Sequence, residues 1–166
     1  EIMDKEHKRN LFHAAFGILL IALLYYNIVN GFILFLVLCL GLALSFAAKH
    51  YRLPGIHWFL DNFERSDVHP GKGAICYLIG VILAVYLFPK DIALASIAIL
   101  AVGDSLAHYI GSNHGTIKHP LNKKKLIEGS IAGTLAGFLA AGLFVSAGEA
   151  FLAAVIAMIA EAVEIE

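Results

Sequence analysis

Apolar residues in this chain come in long runs, and that pattern constrains the fold more than any other feature. Runs occupy 11–29, 31–48, 74–89, 91–110, 130–147 and 149–164. Apolar residues make up 60% of the chain, against roughly 45–50% in soluble domains. A single domain of 166 residues has no water-bounded core large enough to absorb them. Lipid is the solvent such runs suit. A membrane helix needs roughly 17–25 mostly apolar residues; here the third run is short and the sixth ends in acids. In hydrocarbon, backbone polar groups must be satisfied within the segment, so spans of this kind are helices. The runs lack the strict alternation of a β-barrel. The expectation is an all-α, polytopic integral membrane helix bundle. It forms one domain over 1–166, with five to six transmembrane helices.

The breaks between runs set the topology. Asn27, Asn30 and Gly31, then Pro89, then Gly148 mark short connections, while 49–73 and 111–129 are long and polar. The N-terminal tail holds Lys5, Lys8 and Arg9. The first long loop holds Lys49, Arg52, Arg65 and Lys72, and the second holds Lys118, Lys123, Lys124 and Lys125. That leaves Lys90 alone in a short connection. Tail and long loops therefore share one side, and the positive-inside rule makes it the cytoplasm. The N-terminus has the basic-then-apolar look of a signal peptide. Tyr25, Tyr26 and Asn27 stand where a cleavage site would need small residues. A retained first span is expected, with the native start either trimmed away or at Met3. Cys39 and Cys76 stand apart in apolar runs and read as small hydrophobes. No repeats and no nucleic-acid partner are expected. Contact with membrane lipids is, and homo-oligomers are compatible with the chain.

The fourth run breaks the apolar pattern. AVGDSLAHYIGSNHG, residues 101–115, places Asp104 inside it. Asp104, His108 and Gly111 fall at i, i+4 and i+7, on one helical face. An ionised carboxylate in hydrocarbon is costly, and intramembrane acids are functional by default. About 10 Å of helix separates Asp104 from Gly111, so the carboxylate can face a cavity open to the cytoplasm. The competing reading pairs it with His108 or a lysine for packing alone.

The segment GSNHGTIKHPLNKKKLIEGS, residues 111–130, follows. Gly111 and Gly115 permit close backbone approach to an anion, and Lys123, Lys124 and Lys125 concentrate positive charge. Glu128, Gly129 and Ser130 open the fifth helix, with Ser130 a candidate cap. A helix N-terminus attracts phosphate, and Mg²⁺ commonly binds one or two carboxylates plus substrate phosphates. A lysine run touching anionic headgroups is the competing reading. SDVHPGKG, residues 66–73, repeats the theme with His69, Pro70, Gly71, Lys72 and Gly73 ahead of the third helix. LPGIHWFLDNFER, residues 53–65, reads as an interfacial helix. Gly129, Gly133 and Gly137 recur every fourth residue and read as a helix-packing stripe. His50, His57, His114 and His119 show no metal-ligand spacing.

Taken together, these residues resemble the signature of the CTP-dependent polyprenol kinases, a family that takes in dolichol, phytol and diacylglycerol kinases. Its pattern falls on Gly103, Asp104, Ala107, Gly111, Gly115, Lys124, Lys125, Glu128, Gly129, Ser130 and Gly133. HPGKG is similar to the family's proline–glycine element, and Arg9, His13 and Gly17 match its N-terminal element. Leu126 replaces a usual threonine, and Asn10 stands where a second basic residue is common. Family members continue past the position of Glu161 with an Asp-Asn-Pro segment and a last helix. The chain is therefore expected to be short of a family member at its C-terminus.

The resemblance implies transfer of the γ-phosphate of CTP to a long-chain isoprenoid alcohol of the dolichol, polyprenol or geranylgeraniol type, releasing CDP. It implies Mg²⁺ on Asp104 and Glu128, with catalysis by Asp104, His108 and Glu128. Nucleotide binding falls to Arg9, His69, Gly71, Lys72, Gly73, Gly111, Gly115, Lys123, Lys124, Lys125, Gly129 and Ser130. Either His108 or a carboxylate takes the alcohol proton. One rival reading is a CTP-dependent cytidylyltransferase that makes a CDP-lipid. Another is a small proton-coupled transporter, with Asp104 and His108 as relay.

Overall fold

The computed structural model describes residues 2–50, 55, 71–120 and 122–163, without the side chains of 2–6, 123 and 124. The interfacial helix expected at 53–65 lies outside the described residues.

Helix α1 spans Ile2–Tyr25 and α2 spans Gly31–His50. Between them Asn27 takes a left-handed backbone with φ of 54°, a conformation that asparagine tolerates better than most residues. Asn30 then caps α2, its Oδ1 accepting from the Ile33 amide at 3.0 Å. Helix α3, Lys72–Leu87, begins after Gly71, whose φ of 78° suits a residue without Cβ. Pro89 stands before α4, a continuous 25-residue helix from Lys90 to His114. Lys90 is the one basic residue of the short connections, and its role is local. Its ammonium donates to the Tyr25 carbonyl and to Asn27 Oδ1, both at 2.9 Å. It thereby satisfies the C-terminal end of α1, where a cation is favoured.

Within α4 the stretch Ile99–Asp104 winds as a π-helix before α-helical geometry resumes at Ser105. Such π turns are rare and frequent at functional sites. This one ends on Asp104.

The all-α expectation needs one correction. Lys118–His119 (β1) and Asn122–Leu126 (β2) pair as an antiparallel hairpin. Pro120 lies between the strands and favours a turn. The Ile127 amide extends the pairing, donating to the Ile117 carbonyl at 2.9 Å. Three consecutive lysines carry no strand signal, so local composition concealed the hairpin.

Helix α5 then runs Ile127–Ala141 and α6 runs Ala147–Ala162. The expected fifth span, 130–147, loses its last turn to a break. The chain leaves helix after Ala141, and Ser146 with Glu149 forms a capping box that restarts it. By length and composition α1 (from His7), α2 and α4 suffice to cross a membrane. Helices α3, α5 and α6 have 15 or 16 residues, or roughly 22–24 Å of rise.

Helix α4 is central, packing on α1, α3, α5 and α6. Leucines 20, 24, 34, 78 and 94 form one core with Tyr77, Val81 and Ile97. A second core at the α4–α5–α6 seam is built largely of small residues, Ala95, Ala141, Ala150 and Ala154 with Ile99. The glycine stripe belongs to this seam. A Cβ on Gly129 would lie 2.5 Å from the Ala107 carbonyl oxygen, and one on Gly133 2.7 Å from Ala107 Cβ. The two backbones are in near contact, as small-xxx-small faces allow. Large apolar side chains point outward instead, among them Leu139, Leu143, Phe46 and Leu11. An apolar exterior of that extent suits hydrocarbon and not water.

Candidate active site

The close approach of α4 and α5 opens a cleft of 250 Å³ at the end of α4 that carries His114. Helix α4 contributes His108, Gly111 and Ser112. Strand β2 contributes Lys125, α5 contributes Gly129 and Ser130, and α6 contributes Glu161. Glycine is required at the floor. A Cβ on Gly129 would stand 2.5 Å from the Ala107 carbonyl oxygen and one on Gly115 2.6 Å from the Gly111 carbonyl oxygen, whereas one on Gly111 would make only ordinary contact with Gly129 Cα at 3.6 Å. The first turn of α5 therefore opens into the cleft without side chains over part of its backbone. Its dipole favours an anion there.

Charge gathers at one wall. The Lys125 ammonium forms an ion pair with the Glu161 carboxylate and donates to the Glu161 carbonyl at 2.6 Å. Asp104 lies close enough to Glu161, Lys125 and Arg9 for their charges to act on it. Two carboxyl groups this close need a proton or a cation between them. Among the described residues no three His, Cys, Asp or Glu converge as metal ligands. A cation here would rest on two carboxylates plus oxygens of the substrate, the habit of Mg²⁺. The donor set fits that ion.

Glu128 is placed differently. Its Oε1 accepts from the Thr116 hydroxyl at 2.7 Å, from the Thr116 amide at 2.9 Å and from the Ile117 amide at 3.1 Å. These bonds, the hydroxyl's foremost, hold its carboxyl well below the usual range, at about 2. The side chain is thus committed to closing the 115–128 loop.

The remaining candidates divide. His108, Gly111, Lys125, Gly129 and Ser130 line the cleft, and Gly115 ends α4 at its rim. Ser130 does not cap α5. The helix begins at Ile127, and the Ser130 carbonyl accepts from Thr134 Oγ1 at 2.8 Å inside it. Arg9, on α1, is near enough for its charge to act on Asp104. Gly71, Lys72 and Gly73 open α3 beside α2, where a Cβ on Gly71 would lie 3.7 Å from Ser45 Cβ; they do not line the cleft. His69 and the side chains of Lys123 and Lys124 lie outside the described residues. Glu161 was not among the expected site residues. Its signal was an acid closing the sixth apolar run, which reads in sequence as an ordinary span end.

Comparison with known proteins follows the same lines. The chain is 28% identical over 153 residues to the CTP-dependent diacylglycerol kinase 1 of Eremothecium gossypii, covering 86% of this chain and 47% of that protein. It is 41% identical over 71 residues to the chloroplastic farnesol kinase of Arabidopsis thaliana, covering 42% of this chain and 23% of that one. An uncharacterized protein of Methanocaldococcus jannaschii is 32% identical over 141 residues, covering 84% of this chain and 70% of the relative. The chain thus spans about half or less of the length of the named kinases it matches. No family model matches the chain, and no solved structure matches it.

Those named relatives are CTP-dependent diacylglycerol kinase and farnesol kinase, each matched over less than half of its own length. The chain belongs to the CTP-dependent polyprenol and lipid kinase family.

Proposed function

We propose that this protein transfers the γ-phosphate of CTP to the hydroxyl of a long-chain isoprenoid alcohol at the cytoplasmic face of a membrane, giving the alcohol's monophosphate and CDP. The observation that carries the reading is the Lys125–Glu161 ion pair on the wall of a cleft into which a helix N-terminus opens, with Asp104 of α4 close enough for both charges to act on it. Triphosphate fits such a cleft. Lys125 offers a point charge, α5 the positive end of its dipole, and Gly111 and Gly129 the room for both. Lys124, Lys123, Arg9, Lys72 and His69 with Gly71 and Gly73 are the further proposed contacts to the nucleotide.

Asp104 and Glu161 would hold Mg²⁺, and when bound it would neutralise charge on the phosphates. Glu128, proposed from sequence as a second metal ligand, is assigned here to ordering the loop that carries Lys118 to Lys125. The alcohol oxygen attacks the γ-phosphorus as the bond from γ-phosphorus to the bridging oxygen breaks. CDP leaves with that oxygen, and the hydroxyl proton passes to His108 or to a carboxylate of the pair. Positioning and charge neutralisation supply most of the rate in such transfers.

In the six-span form of this proposal all six helices sit in the bilayer, with the N-terminus, 49–73 and 111–129 inside. Incubation with CTP labelled at the γ-phosphate, Mg²⁺ and a panel of dolichol, geranylgeraniol, phytol, farnesol and diacylglycerol tests the chemistry. Label in a lipid product together with CDP is the expected result. Pyrophosphate with a CDP-lipid would replace the kinase reading with the cytidylyltransferase one.

A further inference from the structure

The segment of α4 beyond the π turn has a second face. There α1 and α4 part to leave a groove of 310 Å³. Leu11 and Ala14 of α1 and Leu106 and Tyr109 of α4 form its walls. Asn10 and Ser105 form a polar spot within it. The rim is closed by His7, whose ring meets Tyr109 edge-on at 5.6 Å and whose Nε2 lies 3.2 Å from Asn113 Nδ2. Leu11 is 71% exposed and Tyr109 50% exposed, so the groove opens sideways, onto the apolar exterior. The nucleotide cleft occupies a different face of the same helix, around Ala107, His108 and Gly111.

Asn10 gives the groove its chemistry. Its carbonyl accepts from Ser105 Oγ at 3.3 Å, which ties α1 to α4 one residue from Asp104. Its side-chain Nδ2 is buried and has no hydrogen-bond partner among the described residues. A buried donor left unsatisfied is costly. That cost disappears when a ligand brings an oxygen. A hydrocarbon chain alone would fill the walls but leave the amide unmatched. An alcohol with a long apolar tail satisfies both.

We infer that this groove is the acceptor site: the tail of the lipid alcohol lies between α1 and α4, and its hydroxyl oxygen accepts from Asn10 Nδ2 beside Asp104. The inference rests on the lipid-kinase reading and adds to it where the acceptor enters. Donor and acceptor then approach Asp104 from two faces of one helix, one from water and one from the bilayer.

The test is photolabelling of the full chain in nanodiscs with a diazirine-bearing farnesol analogue and no CTP. Label should map to peptides containing Leu11 and Ala14 and to those containing Leu106 and Tyr109. Farnesol should compete, and the matching hydrocarbon without a hydroxyl should not. Leu106→Trp alters an exposed wall position and should raise KM for the alcohol about tenfold while leaving KM for CTP unchanged, a loss confined to acceptor binding. Asn10→Leu should abolish hydroxyl-dependent competition, and Asn10→Gln should restore part of it. Label confined to other helices, or equal competition by the hydrocarbon, would overturn the acceptor site even where CTP-dependent transfer is intact. Hydroxyl-dependent label in the groove, with no phosphate transfer to any alcohol, would support the site and remove the kinase.

Discussion

Asp104 was legible from sequence because a carboxylate inside an apolar run has no inexpensive bland explanation. Glu161 and Glu128 were not separable on the same grounds. Both flank apolar runs, and only the fold shows one turned to Asp104 and the other to the Thr116 and Ile117 amides. Asp104→Asn is expected to lower turnover by about a thousandfold, the loss typical of a central charge-stabilising group, with the elution profile in detergent unchanged. Glu161→Gln should cost at least the 10- to 100-fold that even an outer-shell metal partner is worth, and should raise the Mg²⁺ concentration needed for half-maximal rate. A Glu161→Gln enzyme with unchanged Mg²⁺ dependence would detach Glu161 from the cation. Glu128 titrates with the opposite emphasis. A carboxyl depressed to about 2 by the fold, from about 4.3 in an open chain, stabilises the loop above the unfolded value. It loses that contribution only as pH falls through the folded one. Hydrogen exchange at the Thr116 and Ile117 amides, corrected for intrinsic rates, should therefore stay slow from pH 7 to pH 5. In Glu128→Gln it should be several-fold faster already at pH 7.

At the scale of elements, helix positions followed from hydrophobic runs, and the breaks from Asn27, Asn30 and Pro89. Two features did not follow. The π turn at Ile99–Asp104 has no sequence mark, because winding depends on what α1, α5 and α6 press against it. The 118–126 hairpin has one only at Pro120. The glycine stripe was readable as packing, and the structure adds a sharper expectation. A Cβ at Gly133 would stand 2.9 Å from the Gly103 carbonyl oxygen, whereas one at Gly80 would meet nothing within 4 Å. Gly133→Ala should overpack the α4–α5 seam and cost about 1–3 kcal/mol. Gly80→Ala should be neutral or stabilising by about 0.5–1 kcal/mol, from helix propensity alone. Apparent melting temperatures in one detergent check both. Equal shifts would mean that the seam relaxes freely and that the close backbone approach does not define the cleft floor.

At the scale of the whole molecule, the decisive asymmetry is in where the basic residues lie. With Lys90 accounted for by the end of α1, none of the 12 lysines and arginines argues against a single cationic side. That side is also where α4 ends at His114, where β2 carries its lysines and where Glu161 closes α6. The proposed donor chemistry needs this arrangement, because CTP would come from water and the alcohol's tail would stay in lipid. The short helices α3 and α5 are expected to be seated by their longer neighbours and not by their own length, as mismatch of a few ångströms costs only fractions of a kcal/mol per ångström. The topology is testable directly. In a chain whose Cys39 and Cys76 are replaced by alanine, single cysteines at Lys8, Lys118 and Asn27 would be probed in sealed inside-out vesicles with a membrane-impermeant maleimide. Positions 8 and 118 should label at once, and position 27 only after detergent is added. Labelling of 27 and 118 from the same side would put an even number of crossings between them. Were position 118 labelled only after detergent, Asp104 would open away from the cytoplasm, and the nucleotide site proposed around Lys125 and Glu161 would face the wrong compartment for CTP.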